Sequence, residues 1–304
     1  MKIIIFGSTG LVGSALVRTF KNTQYELFIP KRKEVDLFSN PETKKYISDI
    51  SPDIIINAAA KVGGIVANDK YRTDFIIQNL KINMNILESC IPFPNVKIIN
   101  LGSSCIYPLN APNPISESEI MNGKLEPTNS PYAMAKLASI EMGDAMSKEY
   151  GHQVINLMPT NLYGPNDNFS KTDSHVIPGL ISRMHHEASM KSNTFNIWGT
   201  GKPLREFLYS DDLADAIKFV LENNVKDPLI NIGSGEEISI KEVAFIIKDV
   251  IGFQGELVFD TSKPDGNPRK LLDSNLINSY GWSPKTKINR GINNTYEWFV
   301  NNIK

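Results

Sequence analysis

The chain has 304 residues, 41% hydrophobic and 21% charged, a globular balance that excludes a disordered chain. Its 32 basic and 33 acidic residues leave a net charge of -1, which excludes a long-range pull toward nucleic acid or an anionic membrane. Two cysteines, Cys90 and Cys105, make no disulfide framework and point to a reduced, cytoplasmic compartment.

The opening run from Met1 to Gly7 is too short for a signal-peptide core and lacks a small-residue cleavage site. No apolar run approaches the roughly 18 residues a membrane helix needs. Lys2–Phe6 reads as a strand and Leu11–Phe20 as a helix, and Leu27–Ile29 and Asp53–Asn57 are further short apolar runs. Asp74–Cys90 predicts a long helix, Val96–Leu101 a strand, Tyr132–Tyr150 a second long helix and Val154–Met158 the next strand. Apolar runs alternating with helices predict a parallel sheet covered on both faces, a doubly wound α/β (Rossmann) fold. After Gly164 the texture changes: Pro165–Asp173 is polar, His175–Met190 reads as a helix, and mixed pieces run on to Lys304. Asp211–Leu221 and Leu229–Ile232 read as a helix and a strand that return to the sheet. The expectation is a larger lobe, 1–164 with 206–232, and a smaller α/β lobe, 165–205 with 233–304.

Between the first strand and the first helix stands Gly7-Ser8-Thr9-Gly10-Leu11-Val12-Gly13, a G-x-x-G-x-x-G pattern. Glycines there permit a tight turn, close approach to a pyrophosphate and close helix packing. The helix start then offers free N–H groups and a positive dipole end to phosphates. An acidic residue about 20 positions on would mark NAD. That stretch is Pro30-Lys31-Arg32-Lys33, which is basic, and a guanidinium pairs with the 2′-phosphate of NADP.

Ser130-Pro131-Tyr132-Ala133-Met134-Ala135-Lys136 reads as a helix start, with Ser130 as cap and Pro131 at the first helical position. Tyr132 and Lys136 are four apart and share a helix face. An ammonium beside a phenol favours its anion, so the spacing predicts a tyrosine that exchanges protons at a carbonyl. A lone Y-x-x-x-K is more often an amphipathic helix with a surface lysine. Here Leu101-Gly102-Ser103-Ser104-Cys105 precedes it at a strand end, where doubly wound sheets face their ligand crevice.

Glycine loop, serine-bearing strand end and Y-x-x-x-K, in this order, resemble the extended short-chain dehydrogenase/reductases. Further runs sharpen the match. They are Ala58–Asn68, Met158–Pro165, Ser174–Pro178, Trp198–Gly201, Arg205–Leu208 and Lys263–Lys270. They resemble the GDP-L-fucose synthases over nearly the whole chain. The resemblance implies an NADP(H)-dependent enzyme acting on a GDP-linked 4-keto sugar. It puts Ser103, Tyr132 and Lys136 on the reductase triad, and Cys105 and His175 on the base and acid of epimerisation. Arg183, Trp198, Arg205, Asp265 and Lys270 fall on positions that hold the GDP-sugar, and Arg32 on the 2′-phosphate contact. Asp36, Leu37, Ala58, Ala59, Ala60, Leu101, Gly102, Pro159, Asn161, Leu162 and His175 fall in the cofactor pocket with the glycine loop and Lys136. One departure stands in the glycine loop, where the family commonly has a histidine and an arginine and this chain has Ser8 and Thr9.

A ketone at sugar C4 acidifies the protons on C3 and C5, and removing one leaves an enolate whose charge sits on the C4 oxygen. Ser103 and Tyr132 would stabilise that oxyanion. Cys105 and His175 would move the protons. A reductase of a GDP-4-keto-6-deoxyheptose, epimerised elsewhere, keeps the same grip and is the alternative. A dinucleotide sensor need not keep Tyr132 and Lys136, and an NAD-holding epimerase conflicts with the basic Lys31–Lys33. His152, His185, His186, Cys90, Trp282 and Trp298 read as structural or surface residues. No metal-ligand spacing is seen, so no metal is expected. The resemblance, together with two helices long enough to form a two-fold bundle between subunits, implies a homodimer.

Overall fold

The computed structural model describes residues 1–170, 173–263 and 265–303. Lys171 and Thr172 of the polar stretch, Pro264 of the last motif, and Lys304 lie outside the described residues.

The first half runs β1 (Lys2–Phe6), α1 (Leu11–Phe20), β2 (Glu26–Phe28), α2 (Asn40–Ile50), β3 (Ile54–Asn57), α3 (Ile65–Lys70), α4 (Arg72–Cys90), β4 (Lys97–Leu101), α5 (Ser130–Tyr150) and β5 (Gln153–Pro159). The second runs β6 (Asn161–Tyr163), α6 (Val176–Ser189), β7 (Thr194–Trp198), β8 (Leu204–Tyr209), α7 (Ser210–Glu222), β9 (Leu229–Ile232), β10 (Glu237–Ser239), α8 (Ile240–Ile251), β11 (Glu256–Asp260), α9 (Asn275–Ser279) and α10 (Ile288–Asn302). Six strands form one parallel sheet in the order β2-β1-β3-β4-β5-β9. Ile3, Ile4 and Ile5 are all fully buried, as a strand covered on both faces requires. The order reverses between β1 and β3, and ligands of such sheets bind beyond the strand ends at that reversal.

One apolar core lies on one face of this sheet, where Leu16, Leu213, Ile217 and Ile230 meet. Another lies on the opposite face, around Ile82, Ile86 and Ile98. A third, separate core gathers Ile181, Phe195, Phe207, Val243, Ile247 and Phe299 from the second half. Ile277 and Trp282 also come from the second half, yet pack in the first core.

Two local expectations are corrected, and one helix is new. Asn40–Ile50, not anticipated, is a helix: Ser39 Oγ accepts from the Glu42 amide at 3.4 Å and Pro41 sits in the first turn. Its only buried positions are Thr43 and Ile47, so its apolar period is faint. Ser130 is not the cap of α5. Asn129 takes that place, and Ser130 is the first helical residue, its hydroxyl accepting from Arg72 at 3.4 Å. Residues after Glu206 rejoin the large sheet only from α7 onward. β8 instead pairs with β6 and β10 in a three-stranded sheet of its own. Pleat alternation explains it: Leu208 faces the first core, Phe207 and Tyr209 the third.

Candidate active site

The glycine loop is a backbone cradle. Gly7 has φ +77°, and a Cβ there would stand 2.7 Å from the Ala58 carbonyl and the Ala59 nitrogen. A Cβ on Gly13 would collide with the Gly7 carbonyl. Gly10 donates to the Gly7 carbonyl at 3.1 Å and is exposed, so the loop presents bare backbone. No side chain caps α1 and its first turn holds no acid. Free N–H groups and an unopposed dipole fit a pyrophosphate. Ser8 is buried and Thr9 exposed, while Leu11 and Val12 are half-buried.

Arg32 is exposed, its guanidinium 5.7 Å from the Phe38 ring centroid, with no carboxylate paired to it among the described residues. It is free to take a 2′-phosphate. Asp36 spends one oxygen on the Phe38 amide at 3.0 Å, and the Leu37 carbonyl accepts from Asn85 at 2.8 Å. Ala58, Ala59 and Ala60 are half-buried just beyond β3. Pro159, Asn161 and Leu162 lie where β5 gives way to β6, and Asn161 Nδ2 donates to the Glu206 carbonyl at 2.9 Å.

The structure brings Ser103, Cys105, Tyr132 and Lys136 together. β4 ends at Leu101, and after Gly102 a short helical turn, Ser104–Ile106, opens on Ser103. Ser103 Oγ accepts from the Cys105 backbone amide at 3.2 Å, which holds the Ser103 side chain on the turn that carries Cys105. The Lys136 ammonium donates to the Leu101 carbonyl at 2.7 Å and lies 5.8 Å from the Tyr132 ring centroid. Burial pushes the Tyr132 phenol well above its ordinary value, Cys105 adds to that, and a hydrogen bond with Ser103 opposes it. Burial lowers the Lys136 ammonium to about 8. The expected lowering of Tyr132 by Lys136 is therefore overridden: both groups are taken out of water and each is driven toward neutrality.

His175 stands immediately before α6 and is exposed, and desolvation by the surrounding protein lowers its imidazole. The segment just before it, at Asp173, packs toward the cluster. The Gly64 amide donates to the Asp173 carbonyl at 2.9 Å, a Cβ on Gly63 would lie 3.2 Å from Phe75, and Phe75 meets Tyr132 edge-on at 6.3 Å.

Of the residues expected to hold a substrate, Arg205 and Asp265 are neighbours, and Asp265 raises the Arg205 guanidinium against the lowering by desolvation. Asp265 accepts from the Thr200 amide at 2.9 Å and its hydroxyl at 2.7 Å, which clips the Gly199–Gly201 turn to the segment carrying Lys270. These bonds, with Lys202 and Arg205 nearby, hold the Asp265 carboxyl below its ordinary value. Trp198 is 62% exposed at the end of β7 and free to stack. Arg183 lies over Phe195 at 5.3 Å and lines a cavity of about 510 Å³ with His186, Glu187, Thr194 and Asn196. Arg205 is not among the residues that line it.

Sequence reasoning missed Asn129, whose Nδ2 donates to Cys105 Sγ at 3.5 Å. The Glu126 carboxylate holds its amide at 3.0 Å. The polar turn before Pro131 was the available signal. Cys90 is fully buried, its thiol pushed up to about 12 by burial. His152 bonds the Cys90 carbonyl at 2.9 Å, His185 bonds Tyr296 at 3.0 Å, Trp282 donates to Asp215 at 3.0 Å, and Trp298 stacks on Phe169. No helix of the described residues is long and apolar enough to cross a membrane.

Residues 3–233 match the family described as NAD dependent epimerase/dehydratase. A GDP-L-fucose synthase of Sinorhizobium fredii (strain NBRC 101917 / NGR234) is 48% identical over 303 residues, spanning 99% of this chain and 96% of its own. The GDP-L-fucose synthetase of Naegleria fowleri, solved bound to NADP, superposes with a TM-score of 0.90 at 30% identity, over 99% of this chain and 94% of its own. A GDP-6-OMe-4-keto-L-xylo-heptose reductase of C. jejuni gives a TM-score of 0.91 at 34% identity, over 99% and 97%.

Proposed function

This chain belongs to the NAD dependent epimerase/dehydratase family, among its GDP-L-fucose synthases, and we propose that it converts GDP-4-keto-6-deoxy-D-mannose to GDP-L-fucose with NADP(H). The observation that carries this reading is the single turn bearing Ser103 and Cys105, which follows the end of β4 where Lys136 bonds the Leu101 carbonyl beside Tyr132. A reductase alone needs only the serine, tyrosine and lysine. A thiol on the same turn adds a group that moves a proton beside the ketone.

In this reading residues 1–164 and, from α7 onward, 210–232 carry the dinucleotide, and 165–209 with 233–304 the nucleotide sugar. The glycine cradle and Arg32 hold the cofactor's phosphates. When bound, NADPH supplies the hydride that reduces the C4 ketone. Ser103 and Tyr132 donate hydrogen bonds to the C4 oxygen, which carries negative charge when a C3 or C5 proton leaves. Cys105 takes a proton from one face and His175 returns one to the other, inverting each centre. Tyr132 then delivers its phenolic proton to the C4 oxygen during reduction. Lys136, held by the Leu101 carbonyl, keeps the Tyr132 side of the helix fixed against β4. Arg183, Arg205 and Lys270 supply the positive charge for the diphosphate, with Asp265 orienting Arg205 and Trp198 covering the nucleoside.

The α4 and α5 helices pack side by side and expose Ile77, Met84 and Met134, apolar surface suited to a second copy of the chain. A homodimer is thus part of the proposal, as is a cytoplasmic site that keeps Cys105 reduced.

The test is turnover of GDP-4-keto-6-deoxy-D-mannose with NADPH in D2O, with the sugar read by NMR. Deuterium at C3 and C5 with NADPH consumed is expected. Reduction without deuterium moves the assignment to a 4-ketoreductase of the heptose kind. No turnover of either sugar overturns the reading.

A further inference from the structure

Glu206 is a fully buried carboxylate on β8 that the chemistry above does not use. Three segments meet on it. Oε1 accepts from the Gly235 amide at 2.8 Å, and Oε2 from the Leu272 amide at 3.1 Å. Its own carbonyl accepts from Thr160 Oγ1 at 3.2 Å and Asn161 Nδ2 at 2.9 Å. A Cβ on Gly233 would collide with Oε1, so the absence of a side chain there makes room for the carboxylate.

Burial pushes the Glu206 carboxyl up, and the amide donors pull it back. No cation pairs with it among the described residues. A buried carboxyl group held by backbone amides alone costs stability that an apolar residue would not. Its return must lie in where it fixes the backbone. Leu272 closes the segment that carries Asp265 and Lys270. The rest of that segment is tied to the body by the Pro268 carbonyl, which accepts from Leu204 at 2.9 Å, and by Arg269, whose ion pair with Glu237 spans 2.6 Å. Arg205, next to Glu206, projects from the opposite face of the same strand.

We propose that Glu206 is a positioning residue: by holding the Gly235 and Leu272 amides it sets segment 265–272 against β8, and with it the grip of Arg205, Asp265 and Lys270 on a nucleoside diphosphate. Its carbonyl meanwhile steadies the Asn161 side chain on the cofactor side, through a bond that no substitution of Glu206 removes. The proposal rests on the GDP-sugar reading above.

Glu206→Gln keeps the size but turns an amide NH2 toward one of the two backbone donors. GDP binding is then expected to weaken about tenfold, and KM for the GDP-4-keto sugar to rise alike, with kcat within about twofold. NADPH affinity stays unchanged. Gly233→Ala crowds the carboxylate without removing it and is expected to shift GDP affinity the same way; should Glu206→Gln not fold, it decides alone. GDP affinity unchanged in the folded variants overturns the proposal. So does an equal loss of GDP and NADPH binding, which would mark a general structural role. A parent protein that binds NADPH but neither GDP nor its sugar overturns the functional reading instead, and this proposal with it.

Discussion

Replacing Lys136 with methionine removes a buried cation while keeping most of its length. The side chain is 3% exposed, and burial alone lowers its ammonium from 10.5 to about 8. At 1.36 kcal/mol per pH unit, holding the charged form inside costs about 3 kcal/mol at neutral pH. Methionine relieves that cost but leaves the Leu101 carbonyl, now bonded at 2.7 Å, without this donor. The lost hydrogen bond costs about 1–2 kcal/mol. The variant is therefore expected to be more stable than its parent by about 1–2 kcal/mol near neutral pH. It is also expected to lose turnover by roughly 100-fold or more.

The folded value lies below the unfolded one, so between pH 8 and 10.5 the unfolded chain binds more protons. The parent's stability rises with pH through that window, and the variant's advantage shrinks there. Urea unfolding of the ligand-free proteins, at several pH values from neutral upward, reads both effects as the shift in midpoint at constant slope. A variant less stable than its parent near neutral pH, or a difference that does not change with pH, refutes the reasoning.

Arg32→Ala is expected to weaken NADPH binding about tenfold and leave NADH binding unchanged, with the difference shrinking at high salt; titration calorimetry with both cofactors checks it. Gly13→Ala drives a Cβ into the Gly7 carbonyl and is expected to abolish dinucleotide binding and destabilise the fold by about 2 kcal/mol or more, seen in thermal unfolding. Cys105→Ser is expected to lose deuterium incorporation at C3 and C5 while NADPH binding persists; incorporation at the parental rate removes Cys105 from the mechanism.

Much of the fold was legible because its signals are local. Lys2–Phe6 must be buried on both faces, and Gly7 must turn the chain, so strand and cradle are written in adjacent residues. Asn40–Ile50 was not legible, since two buried side chains set no period. Nor was the fate of β8, because its alternate residues serve two different cores. At the site, Ser103, Cys105, Tyr132 and Lys136 could be named from motifs. Asn129 on Cys105 and Glu206 on Gly235 and Leu272 join residues distant in sequence, and no spacing encodes such contacts.

The same limit shaped the reading of Tyr132. A spacing of four places Lys136 on its helix face, but says nothing of how much water either group keeps. Burial raises the phenol and lowers the ammonium, so at neutral pH Tyr132 holds its proton. That is the form both proposed steps need. The enolate requires a hydrogen-bond donor at the C4 oxygen, and reduction requires an acid there. Tyr132 thus serves one atom with one protonation state, and the base for epimerisation has to be a different group. In the proposed function that base is Cys105, on the turn that also carries Ser103.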